Sequence, residues 1–247
     1  GFVLLGILAG TLYLNTYLDI NQRRVRFRIA QEKYMKNDRV QVVSNRMVYK
    51  QSGNRLNVES LLLLVNKSKQ PIDSPILYLN PGLGIVSLTS EGQELAYNRE
   101  GHVVVMNRKM ECGEELPLRV EYEGTIDEAI CYLELSDEEY HNTRMGVLPF
   151  SADPLGKMPK TRHELYSNGG RFAHVGNKYT ILLPECLWYL SAVPPVNLQM
   201  PSMKDFDFTD YQLEVEGQEG KAVISQGCME KNEKGISYSN AHPLPRL

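Results

Sequence analysis

The distribution of hydrophobic residues along the chain changes near Asn37. Before that point, apolar residues form one uncharged run, Phe2–Leu18, and then recur near helical spacing to about Lys36, which predicts one long helix. After it, short segments rich in β-branched and aromatic residues alternate with Gly, Pro, Asn and Asp clusters, as successive strands do. The predicted strands are Val40–Tyr49, Leu56–Val65, Ile76–Leu79, Ile85–Leu88, Glu94–Tyr97, His102–Met106, Leu116–Tyr122, Ala129–Leu135, Tyr179–Leu183, Tyr211–Glu216 and Lys221–Ser225.

The clearest strand shows how the sheet should be arranged. Leu118, Val120 and Tyr122 alternate with charged residues, so one face of this strand is apolar and the other is predicted to be exposed to solvent. Short turns such as Ser90–Gly92 and Arg99–Gly101 leave no room for crossover helices, which favours antiparallel neighbours. We therefore predict a mainly β protein, an antiparallel β-sandwich or saddle, with an N-terminal helix.

Residues 1–36 are predicted to be a membrane-proximal or transmembrane helix and stalk. A membrane-spanning helix needs about 20 apolar residues, and the uncharged run of residues 2–18 approaches that length. The alternative is a core or interface helix docked on the following domain. Four arginines, Arg23, Arg24, Arg26 and Arg28, follow the run; they are expected either at a membrane surface or on a solvated helix face.

The remaining residues, 37–247, are predicted to form one β-domain that folds without residues 1–36, since its strands already supply apolar faces. A polar stretch without clear periodicity, about residues 136–170, interrupts the strand pattern. We expect it to be a long irregular insertion, with a possible tight turn at Asn168-Gly169.

Composition excludes some classes of protein. The chain has 247 residues, of which 42% are hydrophobic and 23% are charged, proportions close to those of globular proteins. A net charge of −3 provides no positive field for a polyphosphate backbone. Nucleic acid is therefore not expected as a partner.

A search for catalytic motifs is negative. A zinc helix of the type H-E-x-x-H needs two imidazoles on one helix face, but Ser167 stands where the second histidine after His163-Glu164 would be. The four cysteines are too dispersed for C-x-x-C pairs, so buried thiols are the favoured interpretation. We predict no catalytic residue and no metal ligand in this chain.

Several segments, in their order along the chain, resemble one protein family. They are the run Leu77–Leu88 (LYLNPGLGIVSL), then Gly92, Leu95, Tyr97 and Arg99, the strand Val103–Met106, Glu115–Gly124 (ELPLRVEYEG), Leu182–Tyr189 (LLPECLWY), and Phe206–Tyr211 with Val215. Together they resemble the N-terminal β-domain of the aminopeptidase N family of zinc exopeptidases. The L-P-E-x-x-W-Y pattern at Leu183–Tyr189, together with the apolar N-terminal helix, is most similar to bacterial ABC-transporter permeases that carry a fused aminopeptidase-like domain.

The resemblance implies a function for a larger protein. The family's exopeptidase loop (G-x-M-E-N) and zinc helix belong to a domain that follows the β-domain, and neither is present here; Gly227–Asn232 matches the loop only superficially, because Lys231 splits the Glu-Asn pair. The resemblance implies a non-catalytic domain that forms one wall of a peptide cleft with that downstream catalytic domain. Any zinc would belong to the downstream domain, and no cofactor is expected in this chain. Whether the full-length parent is an active zinc aminopeptidase is left open.

The resemblance also supplies candidate binding residues. The segment of Glu185, Trp188 and Tyr189 matches the family's segment beside the amino end of the substrate, so a peptide amino terminus is a possible partner. We expect Trp188 to be buried between sheets and Glu185 to face a groove at the domain's edge. Simple packing of the Trp188-Tyr189 pair is an equally strong interpretation.

Two further expectations concern the parent protein. Its location is expected to be a bacterial cell membrane, reached through residues 2–18, with the side of the membrane left open. The alternative function is an interaction or regulatory module of a transporter, with no peptidase role. The sequence downstream of this chain in the parent gene discriminates between the two functions, since an intact H-E-x-x-H supports the peptidase.

Overall fold

The computed structural model of the chain describes residues 2–35, 37–145, 172–198, 205–218 and 221–247. Its helices are α1 (Phe2–Tyr34) and α2 (Asp137–Met145), with 3-10 helices at Glu128–Tyr132 and Pro184–Cys186. Its strands are β1 (Gln41–Ser52), β2 (Arg55–Val65), β3 (Ile76–Tyr78), β4 (Leu83–Ser90), β5 (Gln93–Glu94), β6 (Tyr97–Glu100), β7 (Val103–Met106), β8 (Glu115–Gly124), β9 (Ala173–Val175), β10 (Thr180–Leu182), β11 (Asp210–Glu216), β12 (Cys228–Lys231) and β13 (Gly235–Ser239).

Eight of these strands form one large sheet in the order β12-β13-β11-β1-β2-β8-β4-β5. A three-stranded sheet, β3-β7-β6, and the pair of β9 and β10 complete the β-structure of the described residues. Within that part of the chain only β1 and β11 pair in parallel; they are distant in sequence, so no tight turn forces them to run in opposite directions. The prediction of a mainly β fold with an N-terminal helix is confirmed.

The core lies on one face of the large sheet, and its location follows from residue alternation. In β8, Leu118, Val120 and Tyr122 are buried, as their spacing predicts. On the opposite face, the guanidinium of Arg119 lies 2.9 Å from the carboxylate of Glu59 on β2. The sheet therefore places its apolar residues against the core and its ion pairs in water.

The first half of α1 is exposed. The exposed fractions of Leu4, Ile7 and Leu12 are 74%, 61% and 58%, although residues 2–18 are uncharged. None of the helices formed by the described residues is long and apolar enough to cross a membrane. The contact of residues 2–18 with a membrane stays a prediction.

The second half of α1 packs on the β-structure. Phe27 belongs to the core, and the side chain of Arg24 is completely buried. Its guanidinium donates to the carbonyl of Leu135, pairs with Asp137 and lies 4.8 Å from the ring centre of Tyr140. Arg24 therefore lies neither at a membrane surface nor on a solvated helix face, and both expectations are wrong for this residue. Protein groups take the place of the water molecules that would otherwise solvate its guanidinium.

Three local expectations differ in kind from the structure, and the predicted strand Glu94–Tyr97 is divided because β5 ends at Glu94 and β6 begins at Tyr97. Ala129–Leu135 is not a strand: residues Glu128–Tyr132 form a 3-10 helix, and its buried side chains produce a continuous apolar run that resembles a strand in sequence. Residues 221–225 form no strand, and the last hairpin is β12 and β13 instead.

The third difference lies in the supposed irregular insertion, whose first part is the helix α2. Ser136 and Glu139 exchange bonds across its first turn: the amide of Glu139 donates to the Ser136 hydroxyl (3.2 Å), and the amide of Ser136 donates to the Glu139 carboxylate (2.8 Å). This is a capping box, which stabilises a helix start. Residues 146–171, with the expected Asn168-Gly169 turn, lie outside the described residues.

Candidate functional site

Glu185 lies on a tight turn between β10 and the segment that leads to β11. Pro184 supplies a fixed φ angle at the start of the 3-10 helix Pro184–Cys186. The turn ends at Leu187, whose φ of 53° and ψ of 41° place it in the left-handed region. A branched side chain rarely adopts this conformation, so other contacts must hold the turn in place.

The turn borders a small groove. Its lining includes Glu185, Tyr189, Thr209, Tyr211 and Arg246, and the enclosed cavity is about 40 Å³. On this measure one water molecule needs about 10–15 Å³, so the groove accommodates a few water molecules or one small polar group. A larger ligand would have to lie across its mouth.

Arg246 is a basic neighbour of the Glu185 carboxylate in this groove. Its side chain is 21% exposed, and its Oε1 lies 3.7 Å from Nη1 of Arg246. A partly exposed ion pair at this distance contributes little stability. Separation of the Glu185 and Arg246 side chains therefore costs little free energy.

Trp188 and Tyr189 continue the segment behind the groove. The Trp188 ring is 4% exposed and packs edge to face against Tyr49 (centroids 6.1 Å apart) and Tyr189 (5.1 Å). Its Nε1 has no hydrogen-bond partner among the described residues. The expected burial of Trp188, with Glu185 facing a groove, is confirmed. Of the three candidate residues, Glu185 and Tyr189 line the groove, whereas Trp188 supports it from behind.

The Tyr189 hydroxyl reaches the end of the chain. It accepts a hydrogen bond from the amide of Leu247 at 3.2 Å. Burial raises the pKa of Tyr189 well above its usual value, because the phenolate would lose its hydration. Tyr189 is therefore a neutral hydrogen-bonding group and not a base.

Sequence reasoning missed several groove residues, among them Asp207. Its Oδ1 accepts a hydrogen bond from Nη2 of Arg39 at 3.0 Å, whereas its Oδ2 is buried without a partner among the described residues. Burial raises the pKa of Asp207 despite the nearby Arg39 cation. The two residues are 168 positions apart, so no local pattern could have identified the contact.

The described residues contain no cluster of metal ligands, and the expectation of buried thiols is correct for only two of the four cysteines. Cys131 and Cys186 are buried, whereas Cys112 and Cys228 are exposed on the surface, so the expectation is wrong for those two. In this part of the chain, no group of three or more His, Cys, Asp or Glu side chains could hold a metal ion, so these residues do not fit a zinc site. Burial raises the pKa of Cys131 well above its usual value and that of Cys186 to about 12. Buried thiols with a raised pKa are poor nucleophiles.

Solved structures identify the fold. A mutant M1 zinc metallopeptidase from Deinococcus radiodurans, bound to a Tyr-Ser-Ala substrate, matches with a TM-score of 0.53 and 14% sequence identity. A two-domain M1 zinc metallopeptidase mutant bound to L-arginine matches with a TM-score of 0.52 and 14% identity. The fold is that of part of an M1 zinc metallopeptidase.

The match covers most of this chain but less than half of each metallopeptidase. It covers 84% of this chain but 40% of each metallopeptidase chain, so the chain spans less than half the length of the enzymes that it matches. No protein-family model and no curated protein matches the sequence. At this level of identity, the likeness establishes the fold alone.

Proposed function

We propose that this chain is the non-catalytic N-terminal β-domain of an aminopeptidase-like protein. In this proposal the domain forms one wall of a peptide cleft, and a downstream catalytic domain of the same parent chain forms the other wall and holds any zinc. The M1-like fold over 84% of the chain supports this proposal. The observation that carries it is the Glu185 carboxylate, held in an accessible groove by a strained turn.

The ligand proposed for Glu185 is the ammonium group of a peptide amino terminus. The weak Glu185–Arg246 pair can open, and an ammonium group then takes the place of the guanidinium. Tyr189 offers a neutral hydroxyl in the same groove, and the ring of Trp188 packs against Tyr189. The groove is large enough for one small polar group but too small for a peptide side chain or backbone, so the rest of the peptide lies outside it.

The test compares two glutamates in the full parent chain, with amino-acid p-nitroanilides as substrates. Glu185→Gln removes the charge but keeps the side chain's shape, and we expect KM to rise about tenfold with kcat little changed, because a ground-state ion pair is lost. Glu94→Gln, on the exposed strand β5, serves as the matched control and should change neither constant. Equal KM values for the two variants would exclude Glu185 from substrate binding.

A second measurement tests the non-catalytic role of the domain itself. The isolated chain should hydrolyse no anilide and should bind no stoichiometric zinc, since its described residues contain no suitable ligand cluster. Zinc-dependent turnover by the purified chain would overturn the proposal. An inactive parent without an H-E-x-x-H segment would instead support the alternative of an interaction module in a transporter.

The proposal extends to membrane association through residues 2–18, in a parent that includes an ABC-transporter permease. In this half of α1, the hydroxyl of Thr11 donates to the carbonyl of Ile7, and that of Thr16 donates to the carbonyl of Leu12, each at 2.9 Å. Hydroxyls that are satisfied inside the helix enter lipid at lower cost. Sedimentation with phosphatidylglycerol–phosphatidylethanolamine vesicles should capture the full chain but not a chain that begins at Asp19.

A further inference from the structure

The turn between β3 and β4 contains an asparagine that is completely buried, Asn80. Its Oδ1 accepts hydrogen bonds from the amides of Gly82 and Asp127, both at 2.9 Å. Its Nδ2 donates to the carbonyls of Asp127 (3.2 Å) and Cys186 (2.6 Å). An amide side chain has two N–H donors and an oxygen with two lone pairs, so Asn80 uses its full capacity on backbone groups of three separate segments.

The backbone of Asn80 forms a further hydrogen bond to the same turn. Its amide donates to the carbonyl of Leu187 at 2.8 Å. Asn80 therefore holds two consecutive carbonyls, those of Cys186 and Leu187, at the point where the chain adopts its left-handed conformation. Strained backbone persists only where surrounding contacts fix it, and these two hydrogen bonds supply that constraint directly behind Glu185.

The third segment leads from Asn80 to helix α1. Asp127, whose amide and carbonyl both bond to Asn80, has a nearly buried carboxylate that lies 2.8 Å from Nη1 of Arg23. The other carboxylate oxygen of Asp127 caps the adjacent 3-10 helix by accepting from the amide of Ala129 at 3.0 Å. A continuous chain of hydrogen bonds thus runs from α1 through Asp127 and Asn80 to the Glu185 turn.

We propose that Asn80 is the positioning residue of the Glu185 turn, and that Arg23 and Asp127 fasten the docked half of α1 to the same network. The position of the groove is then set by α1 and not by the flanking strands alone. The interpretation of this role as placement of a ligand-binding carboxylate rests on the proposed function. The mechanical claim does not, so the experiment below measures the turn and not peptide binding.

The chain contains a matched control for Asn80. Asn66 is also completely buried, and its Nδ2 donates to the carbonyls of Gln70, Met110 and Glu111 at 3.0 to 3.2 Å. It stabilises a different turn by the same chemistry. Asn80→Ala and Asn66→Ala therefore remove comparable hydrogen bonds, and only the first should disturb the Glu185 turn.

Trp188 is the only tryptophan of the chain and directly follows Leu187, so its fluorescence reports on this turn. In Asn80→Ala we expect a shifted Trp188 emission and about tenfold faster hydrogen exchange at the Cys186 and Leu187 amides, the effect of losing one hydrogen bond. Arg23→Ala should produce a smaller change of the same kind. Asn66→Ala should leave both signals as in the unaltered chain. Identical signals in Asn80→Ala and Asn66→Ala would overturn the proposal.

A measurement on the unaltered chain keeps the proposal testable if Asn80→Ala does not fold. The backbone amides of Asn80 and Asp127 donate to the Leu187 carbonyl and to the Asn80 side chain, whereas the Leu187 amide donates to the Pro184 carbonyl inside the turn. If Asn80 holds the turn, all three backbone amides should exchange as one cooperative group in nuclear magnetic resonance experiments. A protection factor of the Leu187 amide about tenfold below that of the Asp127 amide would show that the turn opens independently of the Asn80 contacts. That result would also contradict the proposed role of Asn80.

Discussion

The two halves of helix α1 reverse the usual relation between polarity and burial. In the first half, apolar side chains such as Leu8 and Leu12 are exposed. In the second half, the charged side chain of Arg24 is completely buried. The side-chain amide of Gln31 is also buried and donates to the carbonyl of Val196. Burial in this helix therefore depends on what the neighbouring structure offers as partners, and not on the polarity of the helix itself.

The second half of α1 packs on the body of the protein, whereas the first half touches it at few points. The docked half contributes Phe27 and Ala30 to the core, and Lys33 near its end reaches Glu100 at 2.7 Å. The exposed half is joined to the body near Tyr17, whose ring stacks on Tyr140 with centroids 5.4 Å apart. The contacts of α1 thus join its second half to the core, whereas most of its first half is exposed.

Truncation gives the largest expected effect and tests this difference directly. A chain that begins at Asn37 should lose at least about 4 kcal/mol of unfolding free energy, the typical cost of deleting a buried aromatic residue such as Phe27. A chain that begins at Asp19 should lose about 1 kcal/mol, the scale of the Tyr17–Tyr140 contact. Urea denaturation measures both values.

This prediction changes the expectation from sequence, under which a chain beginning at Asn37 folds unaided. The docked half of α1 supplies core contacts through Phe27 and Ala30. Equal stabilities for the chains that begin at Asp19 and Asn37 would show that the docking contacts are incidental and that the division near residue 36 is correct after all.

Sequence patterns predicted the strands well because strand burial is a local property. Alternation within β8 follows from residues 116–124 alone. The 3-10 helix Glu128–Tyr132 was mistaken for a strand because its side chains from Ala129 to Tyr132 are all buried, which removes any periodic signal. Helix α2 was missed although its capping box, Ser136 and Glu139, is readable in the sequence.

The site was only partly predictable, since its parts come from distant segments. The expectations that Trp188 is buried and that Glu185 faces a groove agree with the structure, whereas the binding role that the resemblance implies stays a prediction. The bond from Asn80 to the carbonyl of Cys186 spans 106 positions, and the salt bridge of Arg39 and Asp207 spans 168. No sequence pattern encodes such contacts, because they depend on how the sheets and loops pack.

The buried arginine offers the next largest effect. Arg24→Met keeps the apolar stem but removes the charge-assisted bonds to Leu135 and Asp137, so we expect a loss of about 3 kcal/mol. Arg26→Met, two positions away on the exposed side of the helix, should change stability by no more than about 0.5 kcal/mol. Thermal or urea denaturation of both variants measures the difference. Similar small losses would mean that Arg24 is solvated in solution.

The smallest expected effect depends on pH and concerns His102, which packs against the docked half of α1. Its ring is fully buried between Phe27 (centroids 6.0 Å apart) and Tyr78 (5.8 Å). Neither ring nitrogen has a hydrogen-bond partner among the described residues. Burial, with a further contribution from the Arg99 cation, lowers the pKa of His102 to about 3, because an imidazolium would be dehydrated there.

The sign of the pH effect follows from proton binding. An unfolded chain protonates this histidine below about pH 6.5, whereas the folded chain does so only near pH 3. The unfolded state therefore binds more protons in this window, and stability should fall as pH decreases from 6.5, by up to about 1.4 kcal/mol per pH unit.

The carboxylates titrate in part of the same range, so the contribution of His102 is the difference between the unaltered chain and His102→Leu. In urea titrations from pH 6.5 to 4.5, His102→Leu should show a shallower decline, whereas His242→Leu, at an exposed position near the end of the chain, should decline like the unaltered chain. Parallel curves for all three proteins would show that His102 is hydrated, and that the contact of α1 with the body at Phe27 is looser than the described packing.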